Sequence, residues 1–104
     1  MLNLKEYILE KFKIHKKIKK QEYNYHPKDK DELKSLIEKL IKERGDEANL
    51  NDIDTSNITN MSYLFYNSKF NGDISTWDVS NVKYIDNMFK NSPLEKNPPS
   101  WYHA

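Results

Sequence analysis

Cysteine is absent from the 104 residues, so no disulfide and no thiolate metal site can staple this fold. Glycine is nearly as scarce: with only Gly45 and Gly72, the chain lacks the glycine-rich loop that cradles phosphates. No nucleophile elbow occurs either, and an open repeat surface offers no pocket for acid-base chemistry, so no enzymatic activity is expected. Nowhere do 18 apolar residues run together, which argues against a membrane-spanning helix and a membrane role. Near Met1, Lys5, Glu6 and Glu10 interrupt the apolar core that a signal peptide needs. The expectation is a soluble, cytoplasmic chain.

What is present is a repeat. Ile53-Asp-Thr-Ser-Asn-Ile58 returns 24 residues later as Trp77-Asp-Val-Ser-Asn-Val82, and a third copy begins at Trp101. Asp54/Asp78, Ser56/Ser80, Asn57/Asn81, Phe65/Phe89, Asn67/Asn91 and Ser68/Ser92 are identical. Leu50/Ile74, Ile58/Val82, Met61/Ile85, Leu64/Met88 and Phe70/Leu94 all stay apolar. Repeat units bury one common core by stacking and display a continuous outer surface, which suits a binder better than a catalyst. Spacing predicts short strands over residues 50–55 and 74–79, with alternate side chains inward, and one- or two-turn helices over residues 60–67 and 84–91. Asn71-Gly72 marks a turn, and Lys96 in place of its glycine requires the second copy to turn differently.

Ahead of the repeats, Leu4, Ile8, Leu9 and Phe12 predict an amphipathic helix over residues 2–20, and Pro27 a linker after it. A second helix follows: Asp29 with Glu32 forms a capping box, Leu33, Leu36, Ile37, Leu40 and Ile41 form an apolar stripe, and Gly45 supplies the stop. The expected fold is an α/β repeat, a leucine-rich-repeat-like mini-solenoid with an N-terminal helical cap. Its parts are a basic amphipathic helix and linker (1–24), a capping helix (25–49), and two 24-residue repeats with an aromatic C-terminal cap (50–104).

The string Asp73-Ile-Ser-Thr-Trp-Asp-Val-Ser-Asn-Val82, followed by Met88-Phe89, resembles the BspA-like leucine-rich repeat family. The resemblance extends over about residues 25 to 101 and includes the helical segment that leads into such arrays. It implies a repeat fold without catalytic residues. Since such repeats also occur in phage-encoded proteins, it implies as a concrete role an inhibitor that docks on a host defence protein.

Net charge is unevenly placed: 13 basic and 8 acidic residues precede Asp46, while 4 basic and 8 acidic follow from there on. Asp54 and Asp78, with Asp52, Ser56, Thr76 and Ser80, would line one acidic face of the predicted strands and form the candidate partner-binding site. Repeated Asp, Ser and Asn also satisfy turn amides, an architectural use of the same residues. Trp77 falls in the core phase, whereas Trp101 and Tyr102 would either seal the last repeat or anchor a partner. Lys11, Lys13, Lys16, Lys17, Lys19 and Lys20 form a basic patch without the interleaved aromatics of a single-strand binder. His15, His26 and His103 are scattered, so no metal site and no cofactor are expected.

The functional expectation is a protein-protein interaction module with a protein partner. The alternatives are an assembly component docking through the Leu4, Ile8, Leu9 and Phe12 face, and a nucleic-acid contact through the basic patch.

Overall fold

The computed structural model describes residues 22–103. The helix expected over residues 2–20, with its basic patch, lies outside them.

Helix α1 spans Lys30–Arg44. Asp29, in extended backbone, caps it by accepting the Glu32 N–H at 2.9 Å, and the Glu32 carboxylate turns back to the Lys28 N–H at 2.8 Å. At the far end Gly45 adopts φ +96°, which L side chains rarely tolerate, and its N–H closes on the Ile41 carbonyl at 2.7 Å. The apolar stripe sorts by depth: Leu33, Ile37 and Leu40 are buried, Leu36 and Ile41 partly so. Those side chains join one core with Leu50, Ile53, Ile58 and Met61 of the first copy and Ile74, Trp77 and Met88 of the second. Rings run through it as a column, Phe70 to Phe65 at 5.0 Å and Phe65 to Phe89 at 5.7 Å, both stacked.

The expected α/β class does not form. Among the described residues there are one α-helix, a short 3-10 turn at Pro93–Glu95, and no strand or sheet. Only isolated parallel bridges appear, Tyr25 with Ile53, Asn49 with Asp73 and Asn60 with Tyr84. The described residues form a small globule of successive turns, not an α/β repeat solenoid. The reason lies in where the amides donate. Met61, Tyr63, Phe65 and Asn67 send their N–H groups sideways to the Tyr84, Asp86, Met88 and Lys90 carbonyls, at 2.7 to 3.0 Å. Between them, the Leu64, Tyr66 and Ser68 amides turn back three residues, to Met61, Tyr63 and Phe65. An amide spent on the neighbouring copy is lost to a helical ladder, and a turn closed at every other residue prevents an extended run. Tyr63, Asn67, Asn87 and Asn91 sit at φ between 54° and 60°, further interrupting both helix and strand.

The burial pattern nevertheless follows the repeat phase: Leu50, Ile53 and Thr55, expected inward, are at most 1 % exposed. Gly72 is there because of a close approach. The Asn71 and Asp73 amides donate to the Asp46 and Ala48 carbonyls, so a Cβ on Gly72 would overlap the Ala48 oxygen and the Phe70 ring. In the second copy the corresponding stretch is the Pro93–Glu95 turn instead.

Candidate functional site

The carboxylates expected on an acidic face stand on turns, and each is engaged by its own neighbourhood. Asp54 Oδ1 accepts the Ser56 amide at 3.0 Å and the Ser56 hydroxyl at 2.6 Å, while its Oδ2 faces His26 Nδ1 at 3.3 Å. Asp78 repeats this with Ser80, at 2.9 and 2.6 Å. The Ser56 hydroxyl and amide, then His26, hold the Asp54 carboxyl below the usual carboxylate range. Ser80 does the same for Asp78, opposed by the charge of nearby Asp54. The two copies are further tied across this side: Thr55 Oγ donates to the Asp78 carbonyl at 2.9 Å, and Asn81 Nδ2 to the Ser56 carbonyl at 2.6 Å. The Thr76 amide is taken by Asn51 Oδ1 at 3.0 Å.

Asp52 stands apart from that row, clasping three segments together. Arg44 grips both its oxygens, each at 3.0 Å, and Asn24 Nδ2 adds a contact at 2.8 Å. The Arg44 hydrogen bonds bring its pKa down to about 2. Its carbonyl meanwhile receives the Asn24 amide at 2.9 Å, so α1 and the segment before it are pinned to the first copy. Trp101 and Tyr102 lie half-buried on the core: the Trp101 indole donates to the Ile74 carbonyl at 2.9 Å, and Tyr102 meets Phe89 edge-on at 4.8 Å.

Sequence reasoning passed over three tyrosines. Tyr63, Tyr66 and Tyr84 are the large hydrophobic side chains left exposed among the described residues, at 46 %, 40 % and 56 %. Tyr63 and Tyr66 meet edge-on at 5.5 Å, Lys30 Nζ lies 5.9 Å over the Tyr63 ring, and Asn87 Nδ2 donates to the Tyr63 hydroxyl at 3.1 Å. Tyr84 occupies the register position of Asn60 and stands three residues before Asn87. The available signal was their phase: all three stand off the apolar positions 61, 64, 65 and 85, 88, 89, where a core requirement cannot account for an aromatic ring.

Tyr63 also sits at φ +60°, a left-handed backbone that a bulky residue adopts at a cost of roughly 1–2 kcal/mol and that asparagine, its counterpart at 87, takes more readily. No group of three His, Asp or Glu side chains suited to a metal ion occurs among the described residues. No helix among them is long and apolar enough to cross a membrane. The basic patch and the Leu4, Ile8, Leu9 and Phe12 face fall outside the described residues.

A family model described as "Mycoplasma protein of unknown function, DUF285" matches residues 31–103, that is, α1, both copies and the start of the third. No curated protein and no solved structure matches the chain.

Proposed function

We propose that this chain, which belongs to the DUF285 family, is a non-enzymatic protein-interaction module whose contact surface is centred on Tyr63, Tyr66 and Tyr84. The observation that carries the reading is Tyr63 itself. Its ring is exposed, so the core does not require it, and its left-handed backbone disfavours it relative to the asparagine found in the other copy. A bulky ring standing against both local preferences, beside two more exposed tyrosines, fits a contact surface. Tyrosine supplies apolar area and a hydroxyl on a stiff side chain, which is why it is enriched in protein interfaces. The acidic residues fit an architectural use better, since one oxygen of Asp54 and one of Asp78 close their own turns.

A finer form of the proposal takes the array as BspA-like in type and phage-encoded, with a host defence protein as the partner, blocked by occupancy. The Trp77-Asp-Val-Ser-Asn-Val82 string and its recurrence support the BspA-like part of that form.

The experiment exchanges each tyrosine for the residue that the other copy already carries there: Tyr63→Asn, Tyr66→Lys and Tyr84→Asn. These backbone positions tolerate the replacements in the other copy, so the fold is retained while the surface chemistry is lost. Cross-linking capture with the unaltered chain, the triple variant and an Asp54→Lys/Asp78→Lys variant is expected to lose the partner with the tyrosine variant alone. Loss with the aspartate variant alone moves the contact to the acidic turns and ends the tyrosine reading.

A further inference from the structure

The second copy presents an unfinished edge. In the first copy the Met61, Tyr63 and Phe65 amides donate to carbonyls of the second. Their counterparts, the Ile85, Asn87 and Phe89 amides, make no hydrogen bond among the described residues. The apolar face beside them is equally open. Thr55, Ile58 and Met61 are at most 1 % exposed, whereas their counterparts Val79, Val82 and Ile85 are only half-buried. Those three residues line a cleft of about 170 Å³, with Trp101 and Tyr102 on its other wall. A second cleft of about 460 Å³ runs on past Ile85, Asn87 and Phe89. Trp101 repeats the Trp77 contact one copy later: Trp77 Nε1 donates to Leu50 and Trp101 Nε1 to Ile74, each at 2.9 Å. Cover in the repeat register therefore starts at Trp101 and, with Tyr102, packs on Phe89, but among the described residues it brings no carbonyl to the Ile85, Asn87 and Phe89 amides.

We propose that this edge and cleft bind a segment of a partner polypeptide that follows the same turned course as residues 83–90, supplying backbone carbonyls at alternate residues to the Ile85, Asn87 and Phe89 amides and apolar side chains to the cleft. This surface is distinct from the tyrosine row. The occupant is read from the contact already present in the fold, because what covers the first copy's edge is residues 83–90 of the second. Backbone pairing of this kind supplies affinity, and the apolar cleft supplies selectivity. A second molecule of this chain is a poor occupant. Its Tyr84, Asp86 and Met88 carbonyls are already taken, and its Ile58 and Met61 are already fully buried.

The test uses the full chain and a synthetic peptide with the sequence of residues 83–91 as the probe. Amide hydrogen exchange by NMR is read with and without the peptide, and a scrambled peptide serves as control. In the peptide-free chain, the Ile85, Asn87 and Phe89 amides are expected to exchange at least tenfold faster than those of Met61, Tyr63 and Phe65. Saturating peptide is expected to slow the three at least tenfold. Ile85→Lys, and independently Val82→Lys, are expected to weaken peptide binding at least tenfold while the Met61, Tyr63 and Phe65 amides keep their protection. The proposal is overturned if the three amides are already protected in the peptide-free chain, whether by the rest of the chain or by self-association seen in gel filtration. It is also overturned if the scrambled peptide protects them equally, or if neither peptide does.

Discussion

Trp101 lies stacked on Trp77, with ring centroids 6.4 Å apart and planes 13° from parallel, and each indole donates to a carbonyl of the copy before it. The two are one contact used twice, buried the first time and half-buried the second. Trp77→Ala should therefore destabilise by about 3–5 kcal/mol, the range for a buried tryptophan, and Trp101→Ala by a smaller amount. Trp77→Phe keeps most of the packing but leaves the Leu50 carbonyl without its donor, for a loss of about 1–3 kcal/mol. Urea unfolding of the three variants checks the order.

Gly72 and Gly45 are needed for different reasons, and alanine separates them. At Gly72 the added carbon meets the Ala48 oxygen and the Phe70 ring, so Gly72→Ala should cost at least about 1–3 kcal/mol through forced displacement. Gly45 has open space around it, but its φ of 96° with ψ 172° lies in a region held almost exclusively by glycine, so Gly45→Ala should cost roughly 1–3 kcal/mol through backbone strain alone. Gly72→Ala, which must also displace the Ala48 carbonyl, should be the larger loss in thermal or urea unfolding.

Acid should weaken the Arg44–Asp52 clasp in a defined window. Asp52 has its pKa depressed from 3.8 to about 2 in the folded chain, chiefly by the Arg44 hydrogen bonds. A depressed carboxylate contributes stability that is fully present above the unfolded value and is lost as pH falls through the folded one. The contribution is thus complete above about pH 4 and fades between there and pH 2. Asp54, Asp73 and Asp78, all lowered by hydrogen bonds from the serine two residues on, should add to the same acid loss. Asp52→Asn should be less stable than the unaltered chain at pH 7, with a shallower decline on acidification. Urea midpoints measured from pH 7 to pH 2 decide it.

Tyr63→Asn should leave stability within about 1 kcal/mol of the unaltered chain, because relief of the left-handed backbone offsets the loss of exposed contacts to Lys30, Tyr66 and Asn87. If the tyrosine row is the contact surface, the same substitution should lower partner affinity at least tenfold. A large fall in the urea midpoint would instead make Tyr63 a structural residue.

Much of the core was legible in advance, because a 24-residue period places Ile53 with Trp77 and Phe65 with Phe89 whatever backbone joins them. Helix α1 was legible for a local reason: Asp29, Glu32 and Gly45 act within one turn of its ends. The strands and short helices of the repeat were not. Met61, Leu64 and Phe65 have helical spacing, yet the amides of Met61 and Phe65 donate to a copy 24 residues away, and spacing carries no information on that choice. The carboxylates were legible as repeated, with turn closure weighed beside an open acidic face, but the choice between the two was not legible, since Ser56 and Ser80 could equally have left them bare. The tyrosines were overlooked because they stand off the apolar phase that located the core.

Sequence alone determined the register of the two copies, the apolar positions that share a core and the limits of α1, all of which depend on residue type and short-range spacing. Only the tertiary structure decided that the repeats close as turns instead of strands and helices. It alone also decided that Arg44 reaches Asp52, and that the Ile85, Asn87 and Phe89 amides have no hydrogen-bond partner among the described residues. Those outcomes rest on which amide meets which carbonyl across the stack, a competition between near and distant partners that is settled only when the copies pack together.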